Sequence, residues 1–495
     1  MVYLRQESLP GLNLYKYSGV DHSLTSKYIL KPFYNNIVLP CFPMSMAPNL
    51  ITLSGFMFVV VNLCTLLWYN PTLDQDCPSW VYYSWALGLF LYQTFDAVDG
   101  AQARRTRQSS PLGELFDHGV DALNTSLEVL LFAGSQNMGH GWRTVATLFA
   151  SLMTFYVQTW EEYHTHTLTL GIVNGPVEGI LLLVLVYALT GVLGGASFWQ
   201  QPMLATLGVP TSVVQLLPPV LRGLSFTDWH MVQGGIVLVY NTVESARTVL
   251  KVWRKEKKDA DTAQVANGGG GSGVNSRDTH PLLGLLPFFL TWGLVLVYLA
   301  LQPEILHAHL VPFVLFVGIV NAYSVGQMIT AHVAHLPFPY YNVLILPLAW
   351  GVVDSLGPLL HQLEPTVARL LFGGGGGGNQ QQPPAWFVLG WPSALGDGVY
   401  QVAYMFCMLG TAVGVYGSFV VDVIVTICDY LDIWCLTIKH PYVEGAPQVS
   451  GKEAVGATND RASDGLATNG HTTNGQATAS TTAISPSAGE AQRRK

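Results

Sequence analysis

Four aspartates, Asp96, Asp99, Asp117 and Asp121, stand as two pairs in one short stretch of the chain. The first pair is spaced i, i+3 and the second i, i+4, so on helices each pair shares a face. Small residues keep the same phase. Gly100 is four after Asp96, Ala103 four after Asp99, and Gly113 four before Asp117. A face that carries acids and no bulk describes a cleft where a large ligand can approach the backbone. Four converging carboxylates cannot all stay ionised at low dielectric without a counter-charge. One or two hard cations, Mg²⁺ or Mn²⁺, suit an all-oxygen donor set, whereas zinc does not. Such ions bridge to phosphate oxygens, and Arg104, just beyond Asp99, can add a second phosphate contact. The chemistry expected is metal-dependent phosphoryl-group transfer or hydrolysis. His118 follows Asp117 and lies one turn before Asp121, and an imidazole there is matched to taking a proton at neutral pH.

The elements that must position these residues lie in a membrane. The chain has 495 residues, 50% hydrophobic and 11% charged, where a soluble domain carries about 25% charge. Its net charge of −8 lacks the basic excess of a nucleic-acid partner. The six cysteines form no CxxC pair, so neither a zinc site nor a disulfide scaffold is expected. Residues 1–12 are polar without the apolar core of a signal peptide, so the first hydrophobic segment must act as an internal anchor.

A helix needs roughly 20 apolar residues to cross a bilayer. About ten such segments are read, near 47–69, 82–103, 113–135, 142–160, 176–196, 229–250, 281–302, 309–330, 341–361 and 398–428. The Pro-rich stretch 197–228 reads as re-entrant or interfacial. Lys27 and Lys31 precede the first segment, Arg104, Arg105 and Arg107 follow the second, and a basic run from Lys251 to Lys258 follows the sixth. Short cationic loops stay cytoplasmic, and with ten spans all three clusters fall on one side. The expected fold is an all-α polytopic membrane protein whose site lies among the first helices at the cytoplasmic surface. Its expected divisions are an N-terminal segment with an interfacial helix at 1–46, a catalytic membrane core at 47–250 and a basic, Gly-rich linker at 251–280. Further membrane helices at 281–440 and a disordered tail at 441–495 complete the chain. An ion- or proton-coupled transporter also uses intramembrane acids, but would place them at mid-span on broken helices.

At the aspartates the chain resembles the CDP-alcohol phosphotransferase family, with signature D-x2-D-G-x2-A-R-x8-G-x3-D-x3-D. Asp96, Asp99, Gly100, Ala103, Arg104, Gly113, Asp117 and Asp121 fill its fixed positions. The Asp117-His118-Gly119 run and the Pro48-Asn49 opening of the first span are similar to the eukaryotic cholinephosphotransferase/ethanolaminephosphotransferase branch. That resemblance implies that diacylglycerol attacks the phosphorus of CDP-ethanolamine or CDP-choline, releasing CMP and forming the phospholipid. It implies two metal ions on Asp96, Asp99 and Asp117, with Asp121 completing the second. Asn49 would help hold the CDP moiety, Gly100, Ala103 and Gly113 would line its place, and Arg104 would contact phosphate. His118 is the implied proton acceptor of the eukaryotic branch, and Asp121 has that role in prokaryotic members.

The resemblance further implies an endoplasmic reticulum or Golgi membrane, with the lipid bilayer and a second copy of the chain as candidate partners. Inositol or glycerol-phosphate acceptors with CDP-diacylglycerol as donor, and a non-catalytic lipid-binding relative, are the competing readings. Two further polar groups fall on the same side of the membrane. The loop from Trp160 through Glu161, Glu162, Tyr163, His164 and His166, with Glu178, could cradle an ammonium head by charge and cation–π contact. His332 and His335 read as residues of a polar loop.

Overall fold

The computed structural model describes residues 3–171, 174–266, 279–372, 388–396 and 398–441. Among these, ten helices of 18 residues or more stand where the apolar segments are read. They are α1 Pro48–Tyr69, α2 Ser79–Thr106, α3 Pro111–Ser135, α4 Trp142–Thr165, α5 Gly175–Val192 and α6 Phe226–Ala266. The remainder are α7 Pro281–Leu301, α8 Leu310–Val333, α9 Ile345–Phe372 and α10 Val399–Leu431. Five of them, α1, α5, α7, α8 and α10, are long and apolar enough to cross a membrane. Charged or polar residues at one end lower the hydropathy of others, such as Asp96 to Arg105 on α2 and the basic run on α6.

Helix α1 packs on α2 and α3, α2 on α5, α4 on α6, and α7 on α9. Helix α8 meets α3, α4 and α10, and 72% of its most apolar stretch is buried, so the other helices gather round it. Glycines mark the tightest crossings. A Cβ on Gly88 would lie 2.5 Å from Asn62 Nδ2, and one on Gly318 would lie 2.3 Å from Ser126 Oγ. Small residues let backbones approach in this way where helices pack in lipid.

Three features depart from the expected outline. Gly19–Asp21 pairs in parallel with Leu168–Leu170, a strand pair too short to leave a periodic signal in an otherwise helical fold. Helix α6 does not stop at its apolar segment but runs through the basic run to Ala266, as the good helix formers Lys, Arg and Glu allow. The stretch 197–228 folds as short helical turns at Ala196–Gln200, Met203–Thr206, Thr211–Val214 and Pro219–Arg222. All six cysteines are unpaired. The Gly runs and the tail read as linkers lie outside the described residues.

Candidate active site

A four-residue connection turns α2 back into α3. Arg107 takes a left-handed conformation (φ 56°), and the Gln108 amide donates to the Ala103 carbonyl at 2.8 Å, closing the end of α2. Arg104 and Arg105 in that last turn oppose the negative end of the helix dipole. Ser110 caps α3 by accepting from the Gly113 amide, with Pro111 at the first helical position. The two arginines diverge. Arg105 donates to the Leu39 and Phe42 carbonyls, each at 3.0 Å, tying down the N-terminal segment, while Arg104 faces a cavity.

The hairpin brings carboxylate oxygens of Asp96, Asp117 and Asp121 within 4.8 Å of one another. Asp99 stands beside them, its carboxylate accepting from the Thr52 hydroxyl of α1. The Tyr92 hydroxyl donates to Asp121. Asp96 Oδ1 and Asp117 Oδ1 are buried and have no hydrogen-bond partner among the described residues. Buried carboxylate oxygens without partners are costly. Two orphaned oxygens on members of one all-oxygen cluster fit a hard divalent cation.

The cluster opens into a cavity of about 670 Å³. Asn49, Asp96, Asp99, Gly100, Ala103, Arg104, Gly113, Asp117 and His118 are all on its wall. Asp121 is not, and its carboxylate stays within the aspartate cluster, accepting from the Tyr92 hydroxyl. A Cβ on Gly100 would meet nothing closer than Arg104 Nη1 at 3.5 Å, and one on Gly113 only Asn49 Oδ1 at 4.0 Å. These glycines therefore face open space, unlike those at the helix crossings. A second, mainly apolar cavity of about 450 Å³, near Phe132, Trp199 and Trp229, is lined by no carboxylate.

Parts of the wall come from residues that the sequence reading missed. Tyr15, Lys16 and Tyr17 close one side, and Trp434, Cys435, Thr437 and Ile438 another. The latter segment is held by an isolated bridge between Met46 and Thr437, by Gln108 Nε2 donating to the His440 carbonyl at 3.2 Å, and by Asn49 Nδ2 near Cys435 Sγ at 3.8 Å. Neither end of the chain carries a motif, so only the fold could place them here.

His118 sits where a second polar cluster meets the cavity. Its Nδ1 is 3.7 Å from Glu162 Oε2 on α4, and Glu114, one turn earlier on α3, completes a group within 4.8 Å. The stretch from Trp160 read as a loop is instead the end of α4, with only His166 beyond its last residue, and three residues of the expected ammonium cradle have partners elsewhere. Trp160 Nε1 donates to the Pro281 carbonyl at 3.1 Å, Tyr163 to the Leu336 carbonyl at 2.7 Å, and Glu178 accepts from Ser23 and from the Asn174 amide. His332, read as a loop residue, lies in the last turn of α8, and only His335 is in the turn that follows.

Comparison with known proteins places this arrangement. The family profile described as CDP-alcohol phosphatidyltransferase matches residues 45–214. An uncharacterised class-I family protein of Schizosaccharomyces pombe is 40% identical over 438 residues, covering 88% of this chain and 97% of that relative. The chain belongs to this family. Choline/ethanolaminephosphotransferase 1 of Saccharomyces cerevisiae is 36% identical over 439 residues, 88% of this chain and 98% of the relative. Choline/ethanolaminephosphotransferase 1 of Arabidopsis thaliana is 37% identical over 391 residues, covering 75% and 93%. The profile of the CDP-alcohol phosphatidyltransferases ends before α6, but the fungal likenesses run through most of the later helices. These later parts supply α8 and the Trp434 wall of the site.

Proposed function

We propose that this protein transfers phosphoethanolamine, phosphocholine or both from the CDP-alcohol to diacylglycerol, giving the phospholipid and CMP. One observation carries the reading. The complete family signature lines a single cavity or joins the aspartate cluster on its wall, with two buried aspartate oxygens unpartnered, in a chain similar over most of its length to relatives named for that activity.

Asp96, Asp99, Asp117 and Asp121 would hold two Mg²⁺ or Mn²⁺ ions. When bound, such ions neutralise phosphate charge and make the phosphorus easier to attack. Thr52 and Tyr92 fix the rotamers of Asp99 and Asp121 through their hydroxyls. Asn49 and the open faces of Gly100, Ala103 and Gly113 accommodate the CDP group, and Arg104 contacts a phosphate oxygen. His118 takes the proton from the diacylglycerol hydroxyl as its oxygen bonds to phosphorus and the bond to CMP breaks. Its place on the cavity wall supports this role over Asp121, which is not on that wall and has one oxygen engaged by Tyr92.

Diacylglycerol is dissolved in the membrane and the CDP-alcohol in water, so both must reach the same helix ends. The basic clusters support a ten-span protein with those ends at the cytoplasmic face, and the family resemblance supports the endoplasmic reticulum or Golgi membrane. The purified enzyme, reconstituted with diacylglycerol and radiolabelled CDP-ethanolamine or CDP-choline, should form labelled phospholipid and CMP. Turnover only with CDP-diacylglycerol and a soluble alcohol such as inositol would overturn the assignment.

A further inference from the structure

The aspartates do not account for a second set of ligating side chains one helical turn away. Glu114 and His118 lie at i, i+4 on α3, Glu162 reaches them from α4, and His332 from the last turn of α8. His118 Nδ1 is 3.7 Å from Glu162 Oε2, and His332 Nε2 is 3.8 Å from Glu114 Oε1. Glu114 is 8% exposed, Glu162 5% and His332 8%. Both carboxylate oxygens of Glu114 are buried without a hydrogen-bond partner among the described residues, as is His332 Nδ1. Glu114, His118 and Glu162 each offer a ligand atom within 4.8 Å of the other two, and His332 stands against Glu114, so this is a ligand set with a fourth donor at its edge, not a solvated face. Two donors on one tetrahedral ion, each about 2.1 Å from it, stand about 3.4 Å apart. The His118–Glu162 and Glu114–His332 separations are within a few tenths of an ångström of that, and the two pairs meet through Glu114 and His118, which lie within 4.8 Å of each other. Glu114 and His118 also line the cavity, which gives an ion a way in.

We propose that Glu114, His118, Glu162 and His332 form a second metal site, selective for a borderline divalent cation such as Zn²⁺ over Mg²⁺. Mixed imidazole and carboxylate ligation favours Zn²⁺ and its neighbours, whereas Mg²⁺ prefers oxygen donors and retains water. Occupancy would draw His118 out of proton transfer, so Zn²⁺ acts here as an inhibitor while the aspartates remain charged with Mg²⁺. The inhibitory consequence rests on the role proposed above for His118, but binding itself does not.

The test uses full-length enzyme in detergent at saturating Mg²⁺. Co²⁺ serves as a spectroscopic probe and Zn²⁺ as the inhibitor. Wild type should develop the visible absorption of a four-coordinate Co²⁺ site, and Zn²⁺ should displace it. His332→Ala and, independently, Glu162→Gln should lose that band and raise the half-inhibiting Zn²⁺ concentration at least about tenfold, with Mg²⁺-supported turnover retained in His332→Ala. An unchanged band and unchanged Zn²⁺ sensitivity in both folded variants would overturn the proposal. So would Zn²⁺ inhibition of wild type that is relieved by raising Mg²⁺, since the ion would then be at the aspartates. A Co²⁺ band lost with His332→Ala, but without Zn²⁺ inhibition of wild type, would uphold the site and count against His118 as the base.

Discussion

The two acidic clusters share α3 yet are built in different ways. The aspartate cluster is assembled by one hairpin, from two helices joined by four residues, and all its donors are oxygens. The Glu114–His118 cluster draws on α3, α4 and α8, so residues more than two hundred positions apart in the chain must meet. The first is braced by hydroxyls from Thr52 and Tyr92; the second has orphaned Glu114 oxygens and only long charge contacts. Local assembly with hydroxyl bracing makes a site for a hard ion beside phosphate. Assembly from distant helices brings in imidazole, and with it a proton acceptor and a different metal preference.

The largest effects should come from the hairpin cluster. Asp96→Asn and Asp117→Asn remove charge and almost no volume. CMP release should fall at least about 10³-fold in each, the scale of losing a member of a charge-stabilising set, while thermal unfolding stays near wild type. Removal of divalent metal with EDTA should abolish turnover, and Mg²⁺ or Mn²⁺ should restore it. Near-normal turnover in Asp96→Asn would erase the distinction between the clusters.

His118→Ala should cost about 10²–10⁴ in kcat, the range for a general base, with the Mg²⁺ concentration for half-maximal rate unmoved. A loss below about tenfold, accompanied by a lower melting temperature, would return proton transfer to Asp121. Tyr92→Phe strips a brace and leaves every ligand in place. Its expected effect is a rise of about 10–100-fold in the Mg²⁺ requirement, read from a metal titration of initial rate.

How far the molecule could be read from its residues follows the same division. The aspartates, Gly100, Ala103, Arg104 and Gly113 were legible because helical spacing projects local sequence onto a face, and ten long helices stand where the apolar segments are. Glu162 was not recognised as a partner of His118, nor His332 as one of Glu114, because nothing in spacing reports contact between distant helices. The Tyr15 and Trp434 walls were hidden for the same reason. The parallel pair at Gly19–Asp21 was missed because three residues hold no period.

A smaller effect separates glycines that make room for a ligand from glycines that make room for a helix. Gly100→Leu fills open cavity, so it should raise the KM for the CDP-alcohol several-fold and leave the melting temperature unchanged. Gly318→Ala places a Cβ 2.3 Å from Ser126 Oγ, and overpacking of this kind costs about 1–3 kcal/mol, with KM untouched. A reversed pattern, with Gly100→Leu unstable and normal in KM, would make Gly100 a packing residue too.

The smallest effect concerns how the N-terminal segment is kept over the site. Asp21 accepts from the Ser23 amide at 2.9 Å and the Ser26 hydroxyl at 2.5 Å, and pairs with Lys31 at 3.0 Å. Burial alone would raise the Asp21 carboxyl, but Ser26, Ser23 and Lys31 outweigh it and hold the carboxyl below its usual range. A group whose folded value is depressed stabilises the fold above the unfolded value, about 4, and that contribution is lost as pH falls through the folded one. The segment carrying Tyr15 and Tyr17 should therefore stay docked at neutral pH and loosen only below about pH 4. Asp21→Asn should remove that dependence, raising protease cleavage within residues 15–30 a few-fold at pH 7. If cleavage in Asp21→Asn matched wild type at pH 7, the Gly19–Asp21 strand pairing alone would be enough to hold the segment.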